Sequence, residues 1–316
     1  INCGHNIEAA SGPAGVWREA NARERGIKRV QVEPHLSVTG ALSAEWVPIK
    51  PKTDAAFLYA LIHRIIVERD WEEICDIPFL GDDTNSPYLV GPNGYFLRDP
   101  QSRKPLIWDL SDNTAKTYDA LINKPALGGI YTVTGVEEGP DDQEWSHSNI
   151  EAGTSFQKLI EHVTPYSPEW AAETCDIPAE NIRRIADEFV AHARIGETIE
   201  IDGETLPFRP VSIMLGKSVN NGWGGYNCCW ARTVLCTLVG ALEVPGGTLG
   251  TAVKLNRPAD NRKKSATPGP DGFMHYPFNE TSKEGWQKDP KIRNGYNTLV
   301  PLAADSPWSA ALGPAH

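Results

Sequence analysis

The sequence of 316 residues has no Cys-x-x-Cys pair, no excess of basic residues and no long apolar run. Its six cysteines are scattered, whereas zinc and iron–sulfur sites usually use closely spaced pairs. We therefore interpret the cysteines as small buried side chains in a reducing compartment, and we assign none of them to a metal. No apolar stretch approaches the roughly 20 residues of a transmembrane helix, so we predict no direct membrane span.

The charge balance excludes another class of partner. Forty-one acidic residues against 30 basic ones give a formal net charge of -11, whereas nucleic-acid-binding proteins present basic faces to the phosphate backbone. We expect no nucleic-acid partner. At roughly 150 residues per domain the length predicts about two domains, which we place at 1–155 and 156–316.

A pattern of strand, glycine-containing loop and helix occurs twice. In the first copy, a short strand precedes the loop GHNIEAASGPAG, a helix and the strand IKRVQV. In the second copy, the apolar segment PVSIML precedes the loop GKSVNNGWGG and an apolar helix. Such units build parallel sheets. We predict an α/β fold of two doubly wound Rossmann-like domains, with helices on both faces of mainly parallel sheets, plus a loop-rich β excursion at about 75–153.

Ligands of doubly wound sheets bind beyond the carboxyl ends of the strands, where glycine loops admit a phosphate. An acidic residue after the next strand commonly binds ribose hydroxyls, and Glu33 has that position. Asp54 opens a strongly periodic helix, TDAAFLYALIHRII, so it is either a cap or a carboxylate that accepts the two N–H donors of guanine. These features indicate a nucleotide site, although the first loop lacks the Gly-x-Gly-x-x-Gly fingerprint of a nicotinamide dehydrogenase.

Four segments carry a more specific pattern. They are NCGHNIEAASG, VEPHLSVTGALSAEWVPIKPKTDAAFLYALIHRII, YSPEWAAETCDIPAENIRRIADEF and GKSVNNGWGGYNCCWARTVLCTLVGALEVPGGTLG. In this order they resemble the molybdopterin oxidoreductases of the dimethyl sulfoxide reductase superfamily. The resemblance implies molybdenum or tungsten between two molybdopterin guanine dinucleotides, with a [4Fe-4S] cluster held by residues upstream of this segment.

The resemblance also assigns cofactor-binding residues. The family's Gly-x-Asn loop falls on Gly4, His5 and Asn6, its Asp-Pro-Arg on Glu33, Pro34 and His35, and its Pro-Gly-Thr-Asp on Pro51, Lys52, Thr53 and Asp54. The family's late loop, which passes near the metal and the pterins, corresponds to Gly216, Lys217, Ser218, Asn220 and Trp223.

Three of these positions depart from the family pattern. Glu33 keeps the carboxylate of the family's Asp but lengthens its reach, and His35 loses the fixed charge of the family's Arg. Lys52 replaces a glycine, which predicts that a left-handed backbone is less favourable there. Lys52 then becomes a candidate for a phosphate contact.

The resemblance implies one part of a larger assembly. Because Ile1 is not a Met and INCGHN has the pattern of a strand running into a loop, we expect a central fragment of a catalytic subunit that does not turn over alone. The expected partners are an iron–sulfur protein for electron transfer and, as a further option, a membrane-anchor protein. We expect a cytoplasmic or peripheral membrane-associated location rather than a periplasmic one, and we assign no catalytic residue.

The middle segment FLGDDTNSPYLVGPNGYFLRDPQSRKPLIWD resembles the branch that includes phenylacetyl-CoA:acceptor oxidoreductase. This resemblance implies water-dependent oxidation of a small organic substrate, with electrons passed to iron–sulfur clusters. The alternatives are an acetylene hydratase-like hydration, a polysulfide or arsenate-type reduction, a nicotinamide dehydrogenase, and a structural domain that binds no nucleotide.

Overall fold

The structure is a computed structural model that describes residues 1–139, 143–220 and 224–248, together with the residue pairs at 267–268 and 274–275. The described residues form a mixed α/β fold in two compact units. The first comprises 1–76 and 163–248, and the second comprises 77–162.

The strands are Asn2–Cys3 (β1), Val30–Val32 (β2), Glu45–Val47 (β3), Leu89–Val90 (β4), Leu97–Arg98 (β5), Leu106–Asp109 (β6), Thr114–Thr117 (β7), Ile130–Glu138 (β8), Glu144–Thr154 (β9), Thr198–Ile201 (β10), Glu204–Pro207 (β11), Met214–Leu215 (β12), Thr267–Pro268 (β13) and Met274–His275 (β14). The helices are Ile7–Ala10 (α1), Gly12–Glu24 (α2), Val38–Ala41 (α3), Asp54–Ile66 (α4), Trp71–Ile74 (α5), Ile77–Asp82 (α6), Ser155–Val163 (α7), Pro168–Cys175 (α8), Ala179–His192 (α9), Lys217–Asn220 (α10) and Gly225–Leu238 (α11). In the described residues, no helix is long and apolar enough to cross a membrane.

The first unit contains a parallel sheet in the order β12-β1-β2-β3. Asn2 is in register with Met214, and Cys3 with Leu215, so β12 lies directly beside β1. Both strand–loop–helix copies therefore contribute to one sheet, across the predicted boundary near residue 155. The mixed α/β class is present in the described residues, whereas the finer description as two doubly wound domains stays a prediction.

Helix α4 is the centre of the first unit's core. The helix packs against α8, α9 and α11. The large apolar side chains that recur along it at helical spacing are all buried, namely Phe57, Leu58, Leu61, Ile62, Ile65 and Ile66. Fully burying such a side chain contributes roughly 1.5–3 kcal/mol. The predicted helix is confirmed, and its fixed position holds the turn that precedes it, at 50–53.

The second unit is antiparallel. It contains a sheet in the order β4-β9-β8-β5 and a hairpin of β6 and β7, around a core that includes Leu89, Leu97, Leu106 and Val133. The predicted β excursion is present. Its two long strands, of nine and 11 residues, were not predicted, because exposed Thr, Ser, Asn and Glu side chains alternate along them and resemble loop sequence.

A buried ion pair joins distant parts of the first unit. The Arg209 guanidinium donates to Asp76 Oδ2 at 2.8 and 3.1 Å and to the carbonyls of Glu197 and Phe208 at 3.0 Å each. Both charged residues are 6% exposed. Each ion therefore depends on its partner to offset the loss of water.

Arg209→Met should lower the free energy of unfolding by roughly 3–5 kcal/mol, because it leaves the Asp76 charge buried without its main partner. Arg69→Met is the matched control, since Arg69 forms an exposed pair with Asp187 and the expected loss there is about 0–1 kcal/mol. Urea unfolding of the two variants measures both values. Equal, small losses would show that the buried pair does not stabilise the fold.

Candidate functional site

The parallel sheet brings three predicted site segments to one edge. Because parallel strands end on the same side, the residues that follow β12, β1 and β2 are neighbours, and these are Gly216, Gly4 and Glu33. Backbone hydrogen bonds fix the alignment: Gly4 N–H donates to the Val32 carbonyl (2.9 Å) and Gly216 N–H to the Cys3 carbonyl (2.8 Å). This is the edge at which ligands of open α/β sheets bind.

The two glycine loops touch each other. A Cβ atom added to Gly216 would lie 2.2 Å from the Gly4 carbonyl oxygen, and one added to Gly4, where φ is +64°, would lie 2.8 Å from Val219 Cγ2. Ser218 Oγ donates to the Gly4 carbonyl at 3.0 Å. Gly216 is thus required by the close approach of the Gly4 backbone, and Gly4 by its positive φ and the nearby Val219 side chain. The two loops form a single surface.

The turn that precedes α4 contributes a cation to this surface. Thr53 N–H donates to the Lys50 carbonyl (3.3 Å), Pro51 takes the second position, and Lys52 takes the third with φ +68°. These are the features of a type II turn, which favours glycine at the third position. The Lys52 ammonium donates to the Ser218 carbonyl at 2.8 Å.

The left-handed backbone that the sequence made less favourable at Lys52 is nevertheless present, with φ +68°. Pro51 presets the turn, and the Lys50 N–H donates to the Cys175 carbonyl at 3.0 Å, which anchors its start. The surrounding structure therefore imposes the conformation, at a cost of about 1–2 kcal/mol for a residue with a Cβ atom.

Asp54 is a buried carboxylate at the first position of α4. It is 8% exposed, and in the part of the chain that the structure describes no other residue's hydrogen bond or ion pair is assigned to it. Burial raises its pKa, while its own backbone N–H and the Lys52 charge act in the opposite direction. Thr53, rather than Asp54, has the N-cap position. A buried carboxylate that accepts from no other described residue, near a ligand-binding edge, is a candidate for a ligand contact.

Glu33 has a different environment from the one predicted. Its carboxylate accepts hydrogen bonds from the Ser37 N–H and from Gln31 Nε2, both at 2.8 Å, and the residue is 3% exposed. A Cβ atom at Gly40 would lie 2.6 Å from Glu33 Oε1. The carboxylate therefore shapes the 34–40 loop, and little of its surface is left for the predicted ribose contact. Pro34 and His35 follow it and are exposed.

A buried network of polar side chains holds the backbone of the first loop. Asn2 Nδ2 donates to Gln31 Oε1 (2.6 Å), and both amide groups donate to the His5 carbonyl, at 2.9 and 3.3 Å. Asn6 Oδ1 accepts from Thr39 Oγ1 at 2.9 Å. Sequence reasoning missed Asn2 and Gln31. The available signal was a polar residue inside a strand of a parallel sheet, where both faces are normally apolar.

The first loop keeps hydrogen-bond donors for a ligand. Within the described ranges, no acceptor is assigned to the backbone N–H groups of His5 and Asn6. The His5 ring lies beside Met214, with Nδ1 2.9 Å from Sδ. These N–H groups give the first loop the means to bind an anion.

The second loop combines exposed and buried polar groups. Lys217 and Ser218 are exposed, while Asn220 Oδ1 is buried without a partner among the described residues. The loop therefore also has polar groups for a ligand. Trp223, the last predicted contact, lies outside the described residues.

The cysteines have no metal-binding arrangement in the described residues, where no group of three or more His, Cys, Asp or Glu side chains is placed to hold an ion. Five of them are buried and Cys229 is half-buried. Burial raises the pKa of Cys228 to about 12 and also raises that of Cys3, so both thiols stay protonated at neutral pH. This agrees with their interpretation as small buried side chains.

Lys52→Gly should leave the free energy of unfolding unchanged or raise it by about 1 kcal/mol, because glycine adopts the positive φ without strain and the lost lysine contact is exposed. Thermal unfolding of both proteins measures the difference. Lys50→Gly, in the same turn, is the control and should destabilise. A fall in stability for Lys52→Gly comparable to the control would contradict the assigned strain.

The sequence is similar to several enzymes of known class, although no family model matches it. The chain is 31% identical over 252 residues to a sulfite dehydrogenase subunit of Allochromatium vinosum, covering 71% of this chain and 24% of that protein. It is 27% identical over 169 residues to a putative dimethyl sulfoxide reductase catalytic subunit of Halobacterium salinarum, covering 53% and 19%. A third relative is the thiosulfate reductase molybdopterin-containing subunit of Salmonella typhimurium, 23% identical over 194 residues and covering 61% and 16%.

Among solved structures, the chain is similar to acetylene hydratase from Pelobacter acetylenicus, with a TM-score of 0.45 and 17% identity over 79% of this chain and 22% of that one. The curated relatives are molybdopterin-dependent oxidoreductases of the dimethyl sulfoxide reductase family. The chain spans about a quarter of the length of the first of them. The superfamily resemblance is confirmed at this level, and the phenylacetyl-CoA branch remains a prediction.

Proposed function

We propose that the chain is the part of a molybdenum or tungsten catalytic subunit that binds the guanine dinucleotide of a molybdopterin cofactor. The observation that carries this proposal is Asp54, a buried carboxylate to which no hydrogen bond from another described residue is assigned. It lies two residues after Lys52, whose ammonium donates to the Ser218 carbonyl of the second glycine loop at 2.8 Å. Guanine presents two parallel N–H donors, and a carboxylate accepts both at once. A second guanine dinucleotide and a second doubly wound domain belong to the same proposal.

The residues of the edge fit the rest of such a ligand. The Gly4 and Gly216 loops allow a diphosphate to approach the backbone, and the N–H groups of His5 and Asn6 are donors for it. Lys52 and Lys217 supply positive charge in a protein whose net charge is -11. When bound, the metal supplies two-electron redox chemistry, and the protein orients the cofactor.

For the complete subunit we propose a class of reaction. The printed names of the relatives include a sulfite dehydrogenase and a dimethyl sulfoxide reductase, and both conversions transfer one oxygen atom. We propose transfer of one oxygen atom between water and a small substrate, in which two electrons and two protons are released when the substrate is oxidised and consumed when it is reduced, the electrons passing to or from the iron–sulfur partner. A sulfur oxyanion is the substrate that the 31% identical relative favours. Oxidation of an organic thioester such as phenylacetyl-CoA is the second candidate, and non-redox hydration of a triple bond is the third.

The proposal extends to other proteins of an assembly. All three relatives reported above are named as subunits, which supports an assembly with an iron–sulfur electron-transfer partner. A [4Fe-4S] cluster in the complete subunit, a membrane-anchor subunit, and a cytoplasmic or peripheral membrane-associated location are parts of the proposal that this segment does not itself carry.

Cofactor extraction tests the proposal directly. Acid hydrolysis of the complete purified subunit should release GMP, and elemental analysis should find molybdenum or tungsten in the same fractions. Retention of a nicotinamide nucleotide without either metal would replace the proposal with a dehydrogenase. Absence of any nucleotide after expression in a host that makes the cofactor would favour a structural domain.

Asp54→Asn separates a ligand contact from a structural role. Burial raises the pKa of Asp54 above its value in the unfolded chain. As pH rises from the unfolded pKa to the folded pKa, the free energy of unfolding therefore falls. Above the folded pKa, the whole cost of burying the charged carboxylate lowers the stability of the fold. Asparagine carries no charge, so the variant should be at least as stable at pH 7. It should bind guanine about tenfold or more weakly, because it replaces a charged acceptor of two N–H groups.

Two measurements check this prediction: thermal unfolding from pH 4 to 8 and calorimetric titration of the apo-subunit with GMP. In the wild type, GMP affinity should fall as the pH drops through the raised Asp54 pKa, and the variant should show no such fall. Unchanged GMP affinity together with lower stability would mean that Asp54 serves only the start of α4.

A further inference from the structure

The backbone conformation at position 52 does not favour a lysine. The turn requires positive φ, which glycine adopts more easily, and Lys52 is exposed, so its methylene groups contribute little to the core. Residues held in sparsely populated backbone conformations point towards function when the surrounding structure enforces them. Here Pro51 and the bond from the Lys50 N–H to the Cys175 carbonyl enforce the conformation.

The lysine connects the turn to the second glycine loop. Its ammonium donates to the Ser218 carbonyl at 2.8 Å, and Ser218 Oγ in turn donates to the Gly4 carbonyl at 3.0 Å. The three segments therefore form a continuous chain of contacts. An ammonium has three N–H donors, so two remain for a ligand after the bond to Ser218 is made.

The charge of Lys52 lies beside groups that suit an anion. The Gly4 loop, with the unassigned N–H groups of His5 and Asn6, meets the segment that Lys52 contacts. Asp54, two residues along the chain, is buried, and no hydrogen bond from another described residue is assigned to it. A ligand bound to both positions would have a hydrogen-bond-donating end at Asp54 and an anionic end at Lys52. A guanine nucleotide has these two ends at a separation of one ribose.

We propose that Lys52 is a binding residue for the diphosphate of the guanine dinucleotide, and that its bond to the Ser218 carbonyl sets the distance between the base-binding and phosphate-binding parts of the site. The inference rests on the proposed function, because it requires Asp54 to hold guanine. Lys52 adds affinity for the phosphates and none for the base.

Titration of the apo-subunit, purified from a host that cannot make molybdopterin, tests this role with two probes, GDP and guanosine. Lys52→Met keeps the side-chain length and removes the charge. It should raise the Kd for GDP about tenfold at low ionic strength, as expected for the loss of one charge-assisted hydrogen bond, and leave the Kd for guanosine unchanged. The GDP effect should shrink in high salt, because screening already weakens the wild-type contact.

Three further variants make the test specific. Lys52→Arg retains the charge and should retain most of the GDP affinity. Lys52→Gly should lose GDP affinity as Lys52→Met does, although its stability is equal to or above that of the wild type. Lys50→Met removes the same charge from the same turn, at a residue without the bond to Ser218, and should leave GDP binding close to the wild-type value.

The outcomes that overturn the inference differ from those that overturn the proposed function. Equal weakening of GDP and guanosine by Lys52→Met would show that Lys52 only shapes the turn. An equal loss of GDP affinity in Lys50→Met would show that the affinity depends on the net charge of the turn rather than on a contact with Lys52. If the wild-type apo-subunit bound neither guanosine nor GDP, the proposed nucleotide site would be wrong. If the wild type bound both probes and Lys52→Met bound GDP equally well, only the proposed role of Lys52 would be wrong.

Discussion

The candidate site depends on the parallel pairing of β12 with β1. Two residues of each strand are in register, and the hydrogen bond from the Gly216 N–H to the Cys3 carbonyl closes the alignment. This short ladder brings the second glycine loop onto the first, so that a missing Cβ atom at each glycine becomes necessary. Without it, the residues around Gly4 and around Gly216 would be two unrelated loops.

Next to this edge of the sheet, polar side chains occupy buried positions that are apolar in most parallel sheets. Asn2, Gln31 and Glu33 are almost fully buried and bond to one another, to the His5 carbonyl and to the start of α3. Such a network is stable when its members have partners, and it then fixes one geometry. Asn2 Oδ1 is the exception, buried without a partner among the described residues. We interpret the network as the support that holds the first loop in a defined shape.

Much of the fold follows from local sequence. The periodic apolar stripe of α4 predicted its position. Asp202-Gly203 is a residue pair that favours a tight hairpin turn, and it joins β10 to β11 with positive φ at both residues. Side-chain partners could not be predicted in the same way. The inward orientation of Glu33 depends on Gln31 and Ser37, and the backbone of Lys52 depends on a bond to Cys175, over 120 residues away in the chain. Such partners are set by tertiary contacts that no local pattern encodes. The sequence therefore gives the positions of these residues but not their side-chain contacts.

The sequence distance spanned by the site has a consequence for how the protein is made. The contact between Ser218 and Gly4 joins residues 214 positions apart, and contacts of such separation form late, because closing a long loop costs conformational entropy before the contact can offset it. During synthesis, the residues of the first loop leave the ribosome long before their partners exist. The surface formed by the two glycine loops can therefore assemble only after most of this segment has been translated. Binding of any ligand there then follows the synthesis of this segment rather than guiding it.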